Sequence, residues 1–230
     1  DDKLRNILLK SIKKQINKVS KVKIKNNFNL INGFKDKDFK KYFGDVSQRF
    51  FETKISYKFN NLIKLQFTKN LNLNATMHNP TKSNIKFNKR LTKKDLSFYW
   101  RVVRTNKQDV GKPHNDQQFW NLLDKKELNL KFKFKKKLKI WIPLHGTDKN
   151  NSLRVLNKKY YNPNKLKKIN VNGTIKPDID KKWFLNNKNN FSKCTDGKKA
   201  ILFEYKTLHF APKNMSKNVR LSCEATILIK

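Results

Sequence analysis

Val219-Arg220-Leu221-Ser222-Cys223-Glu224-Ala225-Thr226-Ile227-Leu228-Ile229 reads as a strand. Side chains along a strand alternate between its two faces. Leu221, Cys223 and Ala225 therefore share one face, and Arg220 and Ser222 share the other. If that second face points into a barrel, Arg220 needs an anionic partner there, because a buried unpaired charge is costly. A guanidinium is planar and matches a carboxylate through two parallel bonds, each worth about 1.5–3 kcal/mol. The partner is then either a neighbouring acid, Glu204 or Glu224, or a bound carboxylate.

Other stretches carry the same period of two. Leu130, Phe132 and Phe134, then Leu138, Ile140, Ile142 and Leu144, alternate with lysines expected to face solvent on a wet sheet face. Phe98-Tyr99-Trp100-Arg101-Val102-Val103-Arg104 is an aromatic and β-branched run typical of a central strand, and Ala200–Tyr205 is a further one. Ile55, Tyr57 and Phe59, then Ile63, Leu65 and Phe67, alternate as well and are read as strands, continued by 71–75. Ahead of them, Leu4, Leu8, Ile12, Ile16 and Val19 recur at the spacing of an amphipathic helix. Residues 36–51 add one or two short helices, with Gly44 at a cap or turn. The expectation is a mainly β fold with flanking helices in one domain. Residues 1–55 form a helical support and 56–230 a β core, with a long insertion near 157–196 that covers substrate or forms a surface loop.

A chain of 230 residues can bury one substantial core. Its net charge of +38 suggests nucleic acid or an anionic surface, but only seven of the 55 basic residues are arginine. Lysine is spread along the chain with Asn, Ile and Phe, all encoded by A/T-rich codons. Specific nucleic-acid contacts lean on arginine. The charge is therefore read as codon bias with a solvated lysine surface, so no specific nucleic acid is expected, while the positive field favours an anionic substrate. No apolar run is long enough for a membrane span, and Asp1-Asp2-Lys3 does not open a leader pattern. Cys194 and Cys223 have no metal-binding spacing, Cys223 reads as a small buried hydrophobe, and a reducing, cytoplasmic setting is expected.

The chemistry concentrates at Lys112-Pro113-His114-Asn115-Asp116. In an extended segment His114 and Asp116 project from one face, and a second histidine would complete a two-His-one-carboxylate triad for non-haem Fe(II). His78 lies in a turn sequence, Met77-His78-Asn79-Pro80. His145 ends one strand run and His209 follows another, and periodicity leaves both open as the third ligand.

The order His114-x-Asp116, Trp141-Ile-Pro-Leu, Asn150-Asn-Ser-Leu-Arg-Val-Leu, Gly197…Leu202-Phe203…His209 and Asn218-Val-Arg220-Leu-Ser222 resembles the phytanoyl-CoA dioxygenase family over roughly residues 96–230. These are Fe(II)- and 2-oxoglutarate-dependent oxygenases on a double-stranded β-helix, a jelly-roll, cupin-like core. The resemblance implies His114, Asp116 and His209 as metal ligands. It implies that Arg220, helped by Ser222, holds the distal carboxylate of the co-substrate 2-oxoglutarate, and that Trp141 lines the co-substrate pocket. It further implies a hydroxylase consuming dioxygen and oxidising a small organic substrate, with release of succinate and CO2. Asp116 fills the position that a halide would need, which argues against halogenation. One departure is Asn157-Lys158-Lys159-Tyr160, where the family often has Pro-Gly-Ser-His, so the pocket mouth and substrate class do not follow. Two other readings are a basic nucleic-acid-binding module, with Phe132-Lys-Phe134-Lys as a stacking platform, and a non-catalytic cupin-like barrel.

Overall fold

A computed structural model describes residues 2–25, 27–44, 49–73, 75–77, 98–120, 136–171 and 174–229. Its large sheet is built around the carboxy-terminal strand. We number the strands β1 (Ala75–Met77), β2 (Phe98–Val103), β3 (Lys136–His145), β4 (Arg154–Leu156), β5 (Leu166–Val171), β6 (Thr174–Ile179), β7 (Phe191–Lys193), β8 (Ile201–Glu204), β9 (His209–Phe210) and β10 (Arg220–Ile229). β10 pairs antiparallel with β3 along one edge, and with β2 and then β1 along the other; β8 flanks β3. A small antiparallel sheet has the order β7-β4-β9, and His114 bridges to His209 at its open side. β5 and β6 form a separate hairpin.

The two faces of the large sheet differ in chemistry. Leu221, Cys223, Ala225, Ile227 and Ile229 pack with Phe98, Trp100 and Val102 of β2 into the main apolar core. That core is closed by α1 (Asp2–Ser20), α2 (Asp36–Phe43) and α3 (Thr53–Leu71). Leu8, Ile12 and Ile16 form the buried stripe of α1, as the spacing predicts. Gly44 caps α2. Phe98 lies flat against Phe59 with ring centres 4.1 Å apart, and against Phe51 at 4.5 Å. Cys223 is fully buried, and both cysteines are free thiols.

Residues 53–71 correct the strand reading of Ile55–Phe67, because they are one helix. Phe59, Ile63 and Phe67 are buried at i, i+4 and i+8, whereas Tyr57 and Leu65 are exposed. The run is so rich in apolar residues that it satisfies both periods, and docking on Phe98 selects the helical one. The helical part thus extends past residue 55 to Leu71, and Asn72 ends it in a left-handed conformation (φ +48°). His78, Leu130, Phe132 and Phe134 lie outside the described residues.

Residues 157–196 are built rather than loop-like. They contain the β5–β6 hairpin, α5 (Lys181–Asn187) and β7. Trp183, Phe184 and Phe191 are the anchors expected, joining Leu156, Ile179, Leu208 and Phe210 in a second apolar cluster against the small sheet. Antiparallel sheets with flanking helices therefore stand, with a larger helical share than a mainly β fold implies and no closed barrel among the described residues. Among the described residues no helix is long and apolar enough to cross a membrane.

Candidate metal centre

Three elements converge on one point between the two sheets. His114 and His209 exchange backbone hydrogen bonds, His114 N to His209 O at 3.1 Å and His209 N to His114 O at 2.9 Å. The Asp116 amide donates to Tyr205 O at 3.0 Å, which ties the start of α4 (Asp116–Trp120) to the turn after β8. His114, Asp116 and His209 consequently offer ligand atoms that all lie within 4.8 Å of one another. The segment is not a continuous strand: a single bridge at His114 passes directly into a helical turn at Asp116.

The side-chain bonding suits a cation. His114 Nδ1 lies 2.6 Å from Lys112 O and His209 Nδ1 lies 2.9 Å from Thr207 O. A backbone carbonyl at Nδ1 assigns the proton there and aims Nε2 as the metal-binding nitrogen. Each Nε2 is 4.0 Å from Asp116 Oδ1, beyond hydrogen-bond range. Asp116 Oδ2 is buried without a hydrogen-bond partner. Two imidazoles and an under-satisfied buried carboxylate fit a divalent metal of the kind bound by nitrogen and oxygen ligands. Burial, then the neighbouring His209, pulls the His114 pKa down to about 4, so its imidazole is neutral at physiological pH. Burial works against the Asp116 carboxylate, but the Lys139 ammonium and the two histidines outweigh it and hold its pKa below the ordinary value.

His145, the competing candidate, is turned away by the register of β3. Leu221 pairs with His145 but Ser222 pairs with Pro143, so β3 carries an extra residue, a bulge, at Leu144. Strict alternation would put His145 on the face of Trp141 and Pro143. The bulge instead places it with Leu221 on the helical side, its ring 5.4 Å from Phe28. Pro143, lacking an N–H, is tolerated in a central strand at such an irregularity. The bulged Leu144 carbonyl accepts a bond from Arg5 Nε at 2.7 Å.

The inner face of the large sheet is polar. Arg220, Ser222 and Glu224 alternate along β10, opposite Arg101 and Tyr99 of β2 and Pro143 and Trp141 of β3. Arg220 is 2% exposed, and its Nη1 donates to Asn151 O and Pro212 O. Neither acid named as its alternative partner reaches it. Glu204 pairs with Lys136 on the outer side, and Glu224 pairs with Arg101 and, at 3.2 Å, with Lys139. Among the described residues no carboxylate lies within ion-pair distance of Arg220. Burial lowers its pKa to about 10, with Asp148 opposing and Arg101 assisting, and the guanidinium is charged at neutral pH. Trp141 is buried with Leu153 and Phe203 between the sheets, and Phe203 lies 4.9 Å from the His209 ring.

Lys139 corrects the expectation of solvent-facing lysines on β3. It is 4% exposed and reaches Tyr99 OH at 2.9 Å, Glu224 at 3.2 Å and Asp116 Oδ2 at 3.5 Å. The paired acids hold its pKa above the ordinary lysine value despite burial. Glu224 is held below the carboxylate range by Arg101 and Lys139, which overcome its burial. This chain of charges was missed in the sequence because Lys139 is one of many lysines. Its spacing of two from Trp141 was the available signal. No protein-family model matches the chain, and no curated protein matches it.

Proposed function

We propose that the chain is an Fe(II)- and 2-oxoglutarate-dependent oxygenase that hydroxylates a small organic substrate, with His114, Asp116 and His209 as the metal ligands. The observation that carries the reading is Arg220, a buried guanidinium with no carboxylate in ion-pair range among the described residues, on the sheet face that the triad also meets. An iron and 2-oxoglutarate bound there supply oxidative decarboxylation to succinate and CO2, coupled to placing one oxygen atom of dioxygen in a C–H bond.

The remaining tasks belong to the chain. Arg220 and Ser222 receive the distal carboxylate, replacing the missing counter-ion of the guanidinium. Trp141 and Phe203 exclude water from the space between the sheets. Lys139 balances Asp116 and Glu224, so both carboxylates stay ionised beside the ligands.

Strand order supports the same fold assignment. With β1 and the β5–β6 hairpin set aside, the segments β2, His114, β3, β4, β7, β8, β9 and β10 are distributed over two sheets, in the orders β2-β10-β3-β8 and His114-β9-β4-β7. Eight antiparallel segments in two sheets fit a jelly-roll, although the barrel is not closed.

Anaerobic titration with Fe(II) and 2-oxoglutarate tests the proposal. The expected result is a weak visible charge-transfer band requiring both components. Absence of the band, with no calorimetric uptake of either component, would leave the non-catalytic barrel as the better reading.

A further inference from the structure

The insertion grips the metal-binding segment at Lys112, Asn115 and Gln118, positions that alternate with or flank His114 and Asp116. Lys112 Nζ lies 2.9 Å from Asp178 Oδ1 on β6. Asn115 Nδ2 donates to Tyr161 OH at 3.1 Å. Gln118 Nε2 donates to Lys167 O at 3.2 Å and Asp178 O at 3.1 Å. Those two residues face each other across the β5–β6 hairpin, so one amide group fastens both of its strands. Asp178 is thereby held from both sides of the His-x-Asp pair, through its carboxylate and through its carbonyl.

Gln118 also braces the turn that carries the ligands. Its Oε1 accepts from Asn115 N at 3.0 Å, and its backbone N–H donates to Asn115 Oδ1 at 2.9 Å. This reciprocal cap fixes the turn at Asp116. Gln118 is buried, and both hydrogens of its Nε2 and its Oε1 are engaged. A glutamate keeps the acceptor but loses both donations; a methionine keeps the volume and loses all three.

We propose that Gln118 is a positioning residue of the metal centre, anchoring segment 112–118 to the insertion and so fixing the separation of His114 and Asp116. The inference rests on the metal-centre reading. Groups that orient ligands from behind commonly change metal affinity by about 10–100-fold when removed.

The test is Co(II) titration of the full chain by visible absorption, with parallel melts of the metal-free protein. The expected result is a rise of about 10-fold or more in Kd, with altered ligand-field bands, in both Gln118→Glu and Gln118→Met. Phe184→Leu serves as reference, because it loosens the insertion's apolar cluster at Phe191 and Phe210 and leaves the bonds of Lys112, Asn115 and Gln118 in place, and its Co(II) affinity should match wild type. Affinity within twofold of wild type in both Gln118 variants overturns the proposal. So does equal weakening by Phe184→Leu, which would assign the effect to general loosening. If wild type takes up no Co(II), or His209→Ala takes it up equally well, the metal-centre reading itself fails and the inference falls with it.

Discussion

His114 and His209 form a hydrogen-bonded antiparallel pair, each donating its amide to the other's carbonyl, and their rings sit 4.7 Å apart. Directly opposed residues of such a pair project to the same face. The backbone thus sets the two imidazoles side by side before any cation arrives, and the turn at Asp116 adds the carboxylate. Little of the centre depends on flexible side-chain choice.

His209→Ala should therefore abolish the Fe(II)–2-oxoglutarate band, and His145→Ala should retain it. His145 is held on the helical side by the bulge at Leu144, so its loss alters packing against Phe28 rather than the ligand set. The opposite outcome would reassign the third ligand.

Arg220→Ala should weaken 2-oxoglutarate binding by about 30-fold or more, the equivalent of roughly 2 kcal/mol of charge-assisted bonding. Fe(II) affinity should change little. Arg220→Lys should recover only part of the loss, because an ammonium cannot form the two-pronged contact. Calorimetry in the presence of Mn(II) measures both effects, and an unchanged co-substrate affinity would remove Arg220 from its role.

Glu224 gives the pH dependence a sign. Its folded pKa is depressed, so its contribution to stability is complete above the unfolded value of about 4.3 and is lost as pH falls below it. Melting temperature should drop between pH 5 and 3. Glu224→Gln should melt lower at pH 7, since a broken buried pair costs about 3–5 kcal/mol, and should show a shallower acid limb. Parallel acid limbs in the two proteins would show that Glu224 is not a titrating group of this transition.

Phe98→Ala should destabilise the chain by about 3–5 kcal/mol, the usual cost of deleting a fully buried phenyl group. Chemical denaturation measures it. Co(II) affinity of the folded fraction should be unchanged, because Phe98 faces α3 on the opposite side of the sheet from the ligands.

The amphipathic spacing of α1, the alternation of β10 and the His114-x-Asp116 pair were legible because each leaves a local mark, whereas the choice of His209 over His145 came only from the resemblance. Three features were not. The helix at 53–71 is hidden by an apolar density that fits either period. The inward turn of Lys139 is hidden among lysines whose fate depends on Glu224 and Asp116, residues distant in sequence. The bulge that disqualifies His145 exists only in the pairing of β3 with β10, and one strand's sequence does not state its partner's register.

Because β10 has the apolar core on one side and charged groups on the other, its successive residues answer to different requirements. Substitutions at 221, 223, 225 and 227 should reduce the yield of folded protein, those at 220 and 222 should alter what the folded protein binds, and those at 224 should lower stability through its pairs with Arg101 and Lys139. A saturation scan along the strand would then register as two interleaved fitness profiles, one for abundance and one for ligand uptake. Chemistry on this scaffold can accordingly be varied at 220 and 222 with little effect on the helical half of the molecule.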